Sequence, residues 1–123
     1  MNQEEIFKKV LDCSFKVHIE LGPGLLESAY TECLYYDLIQ EGLNVEKQKP
    51  LPLVYKEVKL EAGYRIDLFV ENCIIIEIKS VESLADIHMA QILTYLKLSS
   101  SKLGLLVNFN VMLLKEGIKR VIF

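Results

Sequence analysis

The sequence predicts an α/β domain, with one mixed β-sheet flanked by helices, and three observations carry that expectation. Apolar residues recur at helical spacing before Gly42. From Leu43 the period changes to that of extended chain. A later helical stretch then separates two strongly apolar runs, Ile74-Ile75-Ile76 and Leu103 to Val107. Runs in this order call for helices on the faces of a sheet, the later helix crossing between parallel neighbours.

The first helix is expected from Glu4 to Leu21, where Ile6, Val10, Cys13, Val17 and Leu21 share a face. Gly22-Pro23-Gly24 interrupts it, because proline lacks an amide hydrogen and glycine readily takes turn conformations. The second helix carries Leu26, Tyr30, Cys33, Leu34 and Leu38 on one face and stops near Gly42, with Glu27 in its first turn. Extended segments follow at about Val45 to Lys49, Leu53 to Leu60, Tyr64 to Val70 and Cys73 to Lys79. Ser83 and Asp86 have the spacing of a capping box, so a third helix is expected to run to about Leu98. After Ser99-Ser100-Ser101, Leu103 to Phe109 reads as a buried strand, and Val111 to Leu114 with Ile118 to Phe123 as a hairpin around Gly117.

Composition bounds the rest. The chain has 123 residues, enough for a single core, and residues 1–123 are read as one domain. Its apolar runs are far shorter than the ~20 residues of a membrane span, which predicts a soluble protein. The acidic start Met1-Asn2-Gln3-Glu4-Glu5 is unlike a signal peptide, which predicts a cytoplasmic one. Cys13, Cys33 and Cys73 form no CxxC pair and are read as small buried hydrophobes. The net charge of −3 gives no general attraction to nucleic acid, although carboxylates gathered at a metal would lower it while lysines elsewhere met phosphates.

The candidate chemistry begins in Ile74-Ile75-Ile76-Glu77-Ile78-Lys79, where an acid interrupts a strand that otherwise reads as buried on both faces. Lys79 projects from the same side as Glu77. A second Glu-x-Lys, Glu57-Val58-Lys59, lies among dense charges and reads as a solvated face. Asp67 is another acid in an apolar strand. If the intervening loop is Glu71-Asn72-Cys73, Val70 faces Ile74, and Asp67 lies opposite Glu77 on one face. Two facing acids repel, and a hard divalent cation is a natural compensation; an ion pair of one acid with Lys79 or Arg65 is the structural alternative. Glu27 is a candidate third acid, or a residue that favours the helix dipole. Gln91 and Tyr95 share a helical face with His88, as ligand contacts or as the polar edge of a packed helix.

Gly24-Leu25-Leu26-Glu27-Ser28-Ala29-Tyr30 fits the pattern GxxExxY, and Tyr64-Arg65-Ile66-Asp67 followed by Glu77-Ile78-Lys79 resembles the PD-(D/E)XK nuclease signature. The chain resembles the GxxExxY protein family of that superfamily. His88-Met89-Ala90-Gln91, Thr94-Tyr95-Leu96, Leu105 to Phe109 and Lys119-Arg120-Val121 extend the likeness over nearly the whole chain. Ile66 stands where the superfamily's name has proline. The resemblance implies a restriction-endonuclease-like core, with Mg2+ or Mn2+ held by Glu27, Asp67 and Glu77 and with Lys79 at the attacking water. Gln91 and Tyr95 match an extra QxxxY element and are implied to belong to the same site.

The expected activity is therefore metal-dependent hydrolysis of phosphodiester bonds in DNA, or RNA in second place. From a different class, the alternative is a non-catalytic nuclease-fold module for binding or assembly, acting with a protein partner or as a homodimer. A purely structural domain would leave Asp67 and Glu77 satisfied separately, without converging.

Overall fold

The computed structural model describes residues 1–61 and 63–123. Helix α1 (Gln3–Leu21) opens on a reciprocal cap: the Glu5 amide donates to the Asn2 side chain, and the Asn2 amide donates to the Glu5 carboxylate. Two end donors of the helix are thereby satisfied. Ile6, Phe7, Val10, Cys13 and Val17 form its buried stripe. Helix α2 (Glu27–Gln40) buries Tyr30, Leu34 and Leu38. Leu26 and Cys33 depart from the expected face and are exposed. Leu26 is the N-cap, where helical spacing does not yet apply, and Cys33 lies one step around from Leu34, lining a surface groove between α1 and α2.

Strands β1 (Val45–Pro50), β4 (Arg65–Val70), β5 (Ile74–Lys79), β6 (Leu103–Asn108) and β7 (Ile118–Ile122) form one sheet in the order β1-β4-β5-β6-β7. Only β5 and β6 run parallel, joined through helix α3 (Asp86–Ser99), and the other neighbours are antiparallel. This is the expected mixed sheet flanked by helices. The segment from Leu53 to Leu60 is not one strand but a small separate hairpin, β2 (Leu53–Tyr55) and β3 (Val58–Leu60). Its turn passes through Lys56 at φ 52, a conformation that this lysine does not advertise.

Two other boundaries differ from expectation. Helix α3 starts after Ala85, and the His88 ring nitrogen Nδ1 accepts the Ala85 amide at 2.9 Å, so Ser83 caps nothing. His88 is thereby a structural cap. The expected hairpin around Gly117 is instead an irregular passage and a 3-10 turn, Leu114–Gly117, after which β7 returns beside β6. A Cβ on Gly117 would stand 2.2 Å from the Asn108 carbonyl oxygen, so the close approach of this turn to the end of β6 needs glycine.

The sheet separates two cores. Ile74, Ile76 and Ile78 of β5 pack with α1 and α2, whereas Ile75 packs with Ile92, Tyr95 and Leu96 of α3. Side chains alternate along a strand, so Glu77 shares the parity of Ile75 and falls on the α3 face. That parity positions the site.

Candidate active site

Strands β4 and β5 pair regularly as Val70↔Ile74, Phe69↔Ile75 and Leu68↔Ile76, the register set by the loop Glu71-Asn72-Cys73. Glu71 and Asn72 both take positive φ, which lets three residues close the turn. Regular pairing stops one step before Asp67 and Glu77. There the carboxylates take over the ladder: the Asp67 amide donates to Glu77 Oε2 at 2.9 Å, and the Ile78 amide donates to Asp67 Oδ2 at 2.8 Å. The two acids converge, each satisfying a backbone donor of the opposite strand. They are not satisfied apart, as a purely structural domain would leave them.

Glu77 is only 2% exposed. Loss of hydration, then the neighbouring Asp67 charge, pushes its carboxyl up from 4.5 to about 8, against the pull of the Asp67 amide and Lys79. Burial raises Asp67 as well, opposed by the Ile78 amide, the Lys79 charge and the nearby Gln48 side chain. Glu27 adds negative charge that raises both. The pair is thus short of positive charge.

Lys79 does not close an ion pair with either acid among the described residues. Its ammonium donates to Gln91 Oε1 at 3.0 Å, and the Gln91 amide donates to the Tyr95 hydroxyl at 3.3 Å. The i, i+4 spacing of Gln91 and Tyr95 on α3 therefore makes a relay that holds the lysine head, not a polar edge. Burial first, and then the Glu77 charge, keep the Tyr95 hydroxyl protonated above its ordinary range. Arg65 likewise leaves the acids alone; its guanidinium donates to the Gln48 carbonyl.

Glu27 is the first residue of α2 and is exposed. The turn before it is latched from three directions. The Gly24 amide donates to Asn110 Oδ1, the Leu25 amide to the Tyr30 hydroxyl, and the Tyr30 hydroxyl to the Gly22 carbonyl. Ser80, just past β5, donates to the Leu25 carbonyl at 2.6 Å. Gly24 sits at φ 98, so the glycine, glutamate and tyrosine of GxxExxY act here as turn, acid and latch. Among the described residues, however, no three His, Cys, Asp or Glu side chains gather closely enough to enclose a metal ion. Asp67 and Glu77 form the pair, and Glu27 stands beside it as a separate, solvated acid.

A family model of the PD-(D/E)XK nuclease superfamily matches residues 4–121. The chain belongs to that superfamily. Comparison with curated proteins and with solved structures finds no match. Asp67 and Glu77-Ile78-Lys79 stand in the order of that superfamily's signature. The signature does not name the supporting residues that the sequence reading passed over. Gln48 takes φ 54 in the middle of β1, which interrupts the β1–β4 pairing opposite Asp67 and puts its side chain near enough to ease the burial of that carboxylate. No glycine or asparagine marks the position. Asn108, 1% exposed, accepts the Val81 and Asn110 amides and donates to the Val81 carbonyl, fixing the chain beyond β5. A polar residue ending an all-apolar strand was its one available signal.

Proposed function

We propose that this PD-(D/E)XK domain is a metal-dependent nuclease of the GxxExxY kind, hydrolysing phosphodiester bonds of DNA, with RNA as the second choice of substrate. The observation that carries the reading is the pairing of half-buried Asp67 with buried Glu77, with Lys79 held close by through Gln91 and engaged by neither acid. A structural ion pair would have consumed the lysine.

The donor chemistry fits Mg2+ or Mn2+. Each carboxylate uses one oxygen on a backbone amide, and two oxygen donors of excess negative charge suit a hard cation that keeps several waters. Asp67 and Glu77 are the proposed holders, and Glu27 the third, its exposed side chain free to turn toward them. When bound, the metal supplies Lewis-acid polarisation of a phosphoryl oxygen and acidifies coordinated water. The protein's own contribution is positional. Lys79 directs an ammonium hydrogen at the attacking water or at charge growing on the phosphate, while Gln91 and Tyr95 fix its reach. Glu77 and Asp67, each bonded to the backbone of the opposite strand, are already oriented before they engage.

The test incubates the full chain with single- and double-stranded DNA and with RNA, in Mg2+ and in Mn2+. Cleavage that falls at least about a hundredfold in Glu77→Gln and in Lys79→Ala supports the reading, since an electrostatic group of this kind supplies roughly 2.7–4 kcal/mol to the transition state. Folded wild-type protein that cuts nothing under these conditions, or cleavage that survives both substitutions, overturns it.

A further inference from the structure

Beside the Lys79–Gln91–Tyr95 relay lies a groove of about 200 Å3 lined by Tyr64, Ile87, Ala90, Gln91, Thr94 and Tyr95. It adjoins the catalytic reading at Gln91 and Tyr95, while Tyr64, Ile87, Ala90 and Thr94 have no part in it. Its volume falls below the roughly 300–1,000 Å3 of sites for drug-sized molecules and leaves room for one planar ring system. None of the lining side chains is charged. Tyr64 is 43% exposed, yet its backbone is fixed, because the Leu51 amide donates to the Tyr64 carbonyl at 2.8 Å. Ile87, also in the lining, is largely exposed. An aromatic ring on a fixed stretch of backbone and an aliphatic side chain thus line the groove open to solvent.

We propose that this groove is a stacking pocket for one unpaired nucleobase, Tyr64 supplying the platform, so that the substrate of the site is single-stranded or frayed nucleic acid. The inference rests on the nuclease reading above and narrows its substrate class. Continuity carries it: Gln91 and Tyr95 line the groove and also hold Lys79, through contacts of 3.3 and 3.0 Å, so a base in the groove lies against the residues that fix the lysine. The Tyr95 hydroxyl accepts from Gln91 and keeps its own hydrogen for a ligand. A base inside a duplex cannot enter without being unstacked. The charge agrees with the geometry. Gripping a duplex takes roughly 1,000–2,500 Å2 of strongly basic surface, whereas this chain carries a net charge of −3 over 7322 Å2. Stacking on an aromatic face needs no net charge and tolerates any base, since every base has a π-face.

The experiment uses the full chain in EDTA at fixed salt, with a short oligodeoxynucleotide carrying 2-aminopurine, whose fluorescence is quenched when it stacks, and a blunt hairpin duplex as competitor. Quenching on binding is expected for the wild type and for Tyr64→Phe, with binding weakened about 5- to 150-fold in Tyr64→Ala. Equal binding by Tyr64→Ala and Tyr64→Phe, no quenching, or a hairpin that competes as strongly as a single strand overturns the proposal. Cleavage in Mn2+ is read separately. Tyr64-dependent quenching with no cleavage by any variant sinks the nuclease reading and keeps the pocket; cleavage of single strands undiminished in Tyr64→Ala does the reverse.

Discussion

A carboxyl group at Glu77 is buried between Ile76 and Ile78, and its cost to the fold has a definite pH signature. Its folded value lies near 8, above the ordinary 4.5, and burial with the Asp67 charge is the cause. Between those values the folded chain holds a proton that the unfolded chain has lost. Stability without metal is therefore greatest below about pH 4.5, as far as this group is concerned, and falls as pH rises toward about 8. Asp67, raised in the same direction, adds to the trend. Thermal melts in EDTA across that window should show a falling midpoint in the wild type and a flatter profile in Glu77→Gln. A wild-type profile as flat as the variant's contradicts the burial argument. At this scale the sequence was informative where parity decides: a three-residue loop fixes which acid faces which. It was silent on Gln48, because a left-handed glutamine leaves no mark in a pattern of apolar and polar residues.

Elements were legible where periodicity is strong and blurred where a local contact overrides it. The two long helices, the β4–β5 hairpin and the parallel β5–β6 pair follow from spacing and loop length. The β2–β3 turn did not, since Tyr55-Lys56-Glu57-Val58 contains neither glycine nor asparagine to signal a reversal. The stretch from Val111 to Leu114 has the composition of a strand, but the chain is held out of the sheet, with the His18 ring bonded to the Val111 carbonyl at 2.7 Å and the Asn110 side chain tied to Gly24. Gly117 shows how tightly this end is built. Its hydrogen faces the Asn108 carbonyl, and Asn108 in turn fixes the chain after β5 that bears Ser80. Gly117→Ala must push that carbonyl away, so a loss of about 2 kcal/mol or more is expected in urea unfolding, with the midpoint lowered. An unchanged midpoint would mean that the turn is looser than its contacts indicate.

On the scale of the whole molecule, the sheet is a device for bringing three stretches of chain to one end. The β4–β5 hairpin delivers two acids on the α3 face, α3 delivers Gln91 and Tyr95 to the lysine, and the latched turn before α2 delivers Glu27 from the other side. Fold and superfamily were legible because β5 is apolar on both faces, so that an acid and a lysine there stand out. The gathering of Glu27 with the pair was an expectation of the resemblance, and the fold gives two acids together and one alongside. No described helix is long and apolar enough to cross a membrane. Calorimetric titration of the metal-free chain with Mn2+ addresses the central claim, that Asp67 and Glu77 share a cation, most directly. One saturable site per chain is predicted, lost in Glu77→Gln while the variant stays folded; a wild type that takes up no Mn2+, or a variant that takes it up equally well, contradicts the account.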